Sequence, residues 1–153
     1  MEKNKIYVND DELLYGFDNA LNCGMYVFGI LAPKVGFNTK EARRIASLIG
    51  GGMGRSATCG CVTGAYMALG YHFSNDNLGE VDKLNHSKEK RAEFNKRFLK
   101  EFGSLNCQEM LEGLRNCEPD ELDIIMKKRL YEKTCTKAIN KACEIVEDIL
   151  KED

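Results

Sequence analysis

The chain of 153 residues has no tryptophan, two prolines, two histidines and a net charge of only −2. Scarce proline beside 43 % apolar residues excludes wholesale disorder. The lack of proline and tryptophan, with few β-branched runs, leans the fold toward helices. A near-neutral balance with no basic stripe or aromatic platform removes the electrostatic drive toward nucleic acid. No Gly-Lys-Ser/Thr follows the glycines near position 50, which argues against a phosphate loop. Met1 to Asp10 reads MEKNKIYVND, without the apolar core of a secretory signal, so a reducing cytoplasmic setting is expected. The length suits one domain, 1–153, with a core of its own.

What the chain has in excess is sulfur. Seven cysteines stand at 23, 59, 61, 107, 117, 135 and 143. Such enrichment in a reducing compartment points to metal or redox chemistry before scaffolding. Yet no Cys-x-x-Cys pair occurs, so neither a zinc ribbon nor a thioredoxin-type motif is present. Any shared site must be assembled by the fold from distant segments.

The periodicity predicts an all-α bundle of five or six helices around a central, glycine-rich, buried helix. Asp10-Asp11 can cap a first helix over about 11–33, apolar on every side from Cys23 to Ala32. Asn38 and Glu41 form a capping box for a second helix reaching about Leu48. A third is expected from Cys59 to about Tyr71, followed by a polar stretch from Ser74 to Asn85. Phe94, Phe98 and Phe102 mark one face of a fourth helix that Gly103 ends. Asn106 to Glu109 opens a fifth, with Cys107 in its first turn. The last helix, roughly 121–151, carries Cys135, Ile139, Ala142, Cys143, Val146 and Ile149 as one stripe.

The segment from Gly50 to Gly70, GGGMGRSATCGCVTGAYMALG, holds one charged residue. The twenty uncharged residues between Arg55 and Asp76 would span a bilayer, but their hydroxyls and glycines, with no basic flank, argue against membrane insertion. Gly60, Gly64 and Ala68 stand four apart, a spacing that lets a neighbouring helix approach closely. Cys59 and Cys107 both fall at helix starts, where backbone amides favour a thiolate. Cys59 and Cys61 lie about 200° apart on an ideal helix, so at most one should face a common point unless the first turn unwinds. Cys143 reads as a small core hydrophobe and Cys117 as a surface thiol.

The order NCGMYV, GGGMGRSATCGCVTGAYMALG, FGSLNCQEML, CTKAINKACEIVEDIL resembles the prokaryotic C_GCAxxG_C_C family of redox-active proteins, from about Phe17 to Leu150. By position, the family's four cysteines fall on Cys23, Cys59, Cys107 and Cys135. Cys61 stands where the family usually has alanine, as a fifth thiol or a passive one. Related domains occur in haem proteins with iron–sulfur clusters, but this chain has no Cys-x-x-Cys-His for covalent haem.

The resemblance and the thiols together suggest a redox protein. In the first reading Cys23, Cys59, Cys107 and Cys135 converge on an iron–sulfur cluster or another metal ion for electron transfer, with Gly60 and Gly64 shaping the backbone around it. A second makes it a thiol/disulfide carrier or sensor, with Cys59 or Cys107 as the attacking thiolate. A third is a helical interaction module whose cysteines only pack. His72 is a candidate fifth ligand or acid/base, against a solvated role. The expected partner is a redox protein of unknown identity, and a homodimer is left open.

Overall fold

The computed structural model describes residues 5–153. Among them it forms eight α-helices and no strand. They are α1 (Asp10–Asp18), α2 (Cys23–Leu31), α3 (Thr39–Ile45), α4 (Gly60–Phe73), α5 (Val81–Phe102), α6 (Cys107–Met110), α7 (Pro119–Lys127) and α8 (Thr136–Glu152). The all-helical expectation holds. The five-or-six-helix count does not, because two helices read as continuous are each broken.

The first break separates α1 from α2. Asn9 rather than Asp10 caps α1, in a capping box with Glu12. Ala20 then takes a left-handed backbone, φ 70°, while Asn22 caps α2 by accepting from the Met25 amide at 2.8 Å. The second break lies at Arg129, φ 57°, between α7 and a π-turn over Tyr131–Cys135 that runs into α8. Both interruptions place a cysteine at the start of the helix that follows.

The glycine-rich helix is central, as read from the sequence. α4 packs against α2, α5 and α8, and buries Val62, Ala65, Ala68 and Leu69. At Gly64 an added Cβ would lie 3.0 Å from the Gly24 carbonyl oxygen, so α2 and α4 meet backbone to backbone. Phe94 and Phe98 of α5, stacked at 5.5 Å, are wholly enclosed. The stripe of α8 from Ile139 to Ile149 is buried as expected, Cys143 within it. No helix among the described residues is long and apolar enough to cross a membrane.

The segment before α1 is tied to α8. Asn140 Oδ1 accepts from the Tyr7 and Val8 amides at 2.7 and 2.9 Å. Glu147, only 5 % exposed, pairs with Lys5 at 2.7 Å and Lys34 at 3.1 Å. Burial alone would raise its pKa, but the Lys5 and Lys34 ammonium groups beside it hold it below the usual carboxylate range. A depressed folded value means this stabilisation is present above about pH 4.3 and lost as pH falls below it. Glu147→Gln should therefore cost about 1–3 kcal/mol in urea unfolding at neutral pH and flatten the acid limb of stability. An acid limb as steep as the parent's would place the titration elsewhere.

Candidate functional site

Five of the seven cysteines line one cavity of about 370 Å³: Cys23, Cys59, Cys61, Cys107 and Cys135. They reach it from four separate helix beginnings. Cys23 is the first residue of α2, Cys59 the N-cap of α4 and Cys107 the first residue of α6, while Cys135 leads into α8.

The loops explain how distant cysteines come together. The Cys59 amide donates to the Leu105 carbonyl at 2.8 Å, and the Cys107 amide to that of Ala57 at 2.6 Å. These bonds form an isolated antiparallel bridge, Thr58 with Asn106, that fixes the two cysteines side by side. Upstream, Gly51, Gly52, Met53 and Gly54 all adopt left-handed backbone, with φ between 61° and 70°. Glycine supplies this turn at little steric cost, and it swings Gly51 onto the cavity wall.

Cys23 is the thiol this architecture activates. The neighbouring Cys61 thiol is the largest influence favouring its thiolate, and the backbone amides of Gly51, Gly24 and Gly60 act in the same direction. Against the opposing effect of burial, these groups bring its pKa down to about 7. The space for its sulfur exists because residue 60 is glycine: a Cβ there would sit 2.4 Å from the Cys23 Sγ. Cys61 is the complement of Cys23. Hydrogen bonds to Cys23 and Cys59, then burial, raise its pKa well above the ordinary thiol value, so it keeps its proton.

Cys107 and Cys135 keep their protons. Burial first, then the neighbouring sulfurs, raises Cys107 to about 12 and Cys135 well above normal. The expectation that a helix start would ionise Cys107 is therefore corrected. α6 has only four residues, and desolvation outweighs what its amides give.

The condition under which both Cys59 and Cys61 could face a site is met. Cys59 has the extended backbone of an N-cap, φ −53° and ψ 133°, so it lies off the helix and both thiols reach the cavity. His72 lies elsewhere: it is exposed near the end of α4, edge-on to Phe73, and is absent from the lining. Cys117 is exposed and Cys143 buried in the core.

Asn116 and Tyr131, which the sequence reading passed over, complete the wall. The Ser56 hydroxyl donates to Asn116 Oδ1 at 3.1 Å, and the Asn116 side chain in turn hydrogen-bonds the Tyr131 hydroxyl. Burial keeps that phenol protonated, raising its pKa to about 12. A signal for part of this was present. The dipeptide Asn-Cys occurs at 22–23, 106–107 and 116–117, and in the first two the asparagine is the helix cap.

Thiol donors suit iron–sulfur clusters and zinc chemically. However, among the described residues no group of three or more His, Cys, Asp or Glu side chains is placed to hold a metal ion. The sulfurs surround a space without gathering three donors at one point. Their chemistry fits a metal centre and their placement does not.

A family model described as "Putative redox-active protein (C_GCAxxG_C_C)" matches residues 21–149 of the chain. No curated protein and no solved structure gives a match.

Proposed function

We propose, from the premise that this chain belongs to the C_GCAxxG_C_C family of redox-active proteins, that its redox group is a dithiol, with Cys23 as reactive thiolate and Cys61 as resolving thiol. The observation that carries this reading is that the two line one cavity, Cys61 being the largest influence that lowers the Cys23 pKa while its own is raised. A half-buried Cys23 is reached from the cavity, whereas Cys61 is 1 % exposed behind it. Oxidation joins the two sulfurs, releases the Cys61 proton and passes two electrons to an acceptor. Cys59, which also contacts Cys61, can exchange into that disulfide. The neutral thiols of Cys107 and Cys135 keep added negative charge away from the Cys23 thiolate.

The experiment is a titration of the fully reduced protein with diamide, followed by thiol counting and peptide mapping. Two of the seven thiols should disappear first, in a Cys23–Cys61 link. A first disulfide that includes neither residue would defeat the assignment.

A second reading, an iron–sulfur centre held by Cys23, Cys59, Cys107 and Cys135, is favoured by one observation: all four line the same cavity. Iron and sulfide analysis of protein purified without oxygen separates it from the first. Stoichiometric iron and acid-labile sulfide would support the cluster, whereas their absence alongside diamide-sensitive Cys23 supports the dithiol.

A further inference from the structure

The dithiol accounts for the sulfurs but not for the room in front of them. A cavity of about 370 Å³ is in the range that holds a one- or two-ring compound. Its other walls are Leu14, Phe17, Leu111, Leu122, Met126 and Tyr131. The Phe17 and Tyr131 rings meet edge to face with centroids 5.1 Å apart, and present an aromatic surface. Among the lining residues Asp18 is the one carboxylate, and no Lys, Arg or His contributes. A phosphate, a carboxylate or a charged peptide disulfide would find no counter-ion there. Its uncharged polar side chains besides the thiols are Asn22, Asn116, Thr134 and Tyr131; the Asn22 amide is engaged with the Ala46 and Ser47 carbonyls, whereas Asn116 stands beside the Tyr131 hydroxyl.

We infer that this cavity binds a small, uncharged, apolar quinone as the two-electron acceptor of the Cys23–Cys61 pair, with the Tyr131 hydroxyl donating to a quinone oxygen. The inference rests on the dithiol reading and adds the class of substrate to it. The step balances with no other reactant. The Cys23 thiolate and the Cys61 thiol form one S–S bond and lose two electrons. The quinone takes those electrons, the Cys61 proton and one proton from water, and leaves as the hydroquinone.

The probe is tetramethyl-1,4-benzoquinone, whose ring carries no free position for a thiol to add to. Reduced protein is mixed with it anaerobically, and hydroquinone formation, thiol loss and the disulfide map are followed together. The expected result is one hydroquinone per two thiols lost, a rate that saturates with quinone, and at least tenfold faster oxidation than by glutathione disulfide at equal concentration.

Met126→Trp, at an exposed position on the wall, should lower the rate at subsaturating quinone at least fivefold, and by more than it lowers the rate of diamide oxidation. Leu122→Trp serves as a second block, with helical circular dichroism checking the fold of both. A rate linear in quinone, or the parent's rate in both blocked variants, would overturn the quinone site. If diamide forms the Cys23–Cys61 disulfide and the quinone does not, the dithiol survives and the quinone site falls. If neither oxidant forms it, the dithiol reading itself has failed.

Discussion

Cys61→Ala should slow alkylation of Cys23 by iodoacetamide at pH 6.5 roughly five- to tenfold, because it removes the largest influence holding the Cys23 thiolate. The parent midpoint is expected near pH 7, and the variant's should move up toward the ordinary thiol value of about 8.5. The sign follows from which form the donor favours: a hydrogen bond to the thiolate stabilises the charged state, and its loss raises the pKa. The shift is partial, since the amides of Gly51, Gly24 and Gly60 still donate. Cys117 is exposed and competes for the reagent, so the measurement belongs in a Cys117→Ser background, with the labelled peptide identified by mass. Alanine is also the residue the family usually carries at this position, so the variant tests what the extra thiol adds. An unchanged midpoint would mean that the Cys61 proton does not act on Cys23.

Much of this site was legible, and what was not has a common cause. The four cysteines that match the family motif, the small-residue face of α4 and the phenylalanine face of α5 all follow from spacing, because helical periodicity is a local property. The breaks at Ala20 and Arg129 were missed for the opposite reason. Both residues adopt positive φ without being glycine, a conformation their side chains disfavour and only the surrounding fold can hold. The same limit hid Cys23 as a helix start. A helix start was expected at Cys59 and Cys107, yet Cys23 becomes the first residue of a helix only because α1 and α2 are separate. Desolvation, which decides the state of Cys107 and Cys135, depends on neighbours that no local pattern names.

Gly60→Ala is expected to raise the Cys23 midpoint above pH 7, abolish preferential oxidation of the Cys23–Cys61 pair and destabilise the protein by about 1–3 kcal/mol. The new Cβ would stand 2.4 Å from the Cys23 Sγ, 3.1 Å from the Gly24 nitrogen and 3.2 Å from the Ile49 oxygen. Neither backbone atom can yield without moving α2 or the chain before the glycine turn, so the sulfur must leave its cluster of amides. Alanine gains about 1 kcal/mol over glycine in helix propensity, which offsets part of the overpacking but returns nothing to the sulfur.

Gly64→Ala, one turn further along, is the control. Its Cβ would crowd the Gly24 carbonyl oxygen at 3.0 Å and the Val27 Cβ at 3.3 Å, loosening the same helix crossing without touching Cys23. The two variants should therefore lose similar stability in urea unfolding while only Gly60→Ala changes the pH profile of thiol labelling. If both moved the profile equally, the Cys23 pKa would be set by the general packing of α2 on α4. If neither moved it, the amide cluster would have no hold on the thiolate. The separate outcomes make residue 60 the point where a missing side chain becomes a chemical property of a cysteine 37 positions away in sequence.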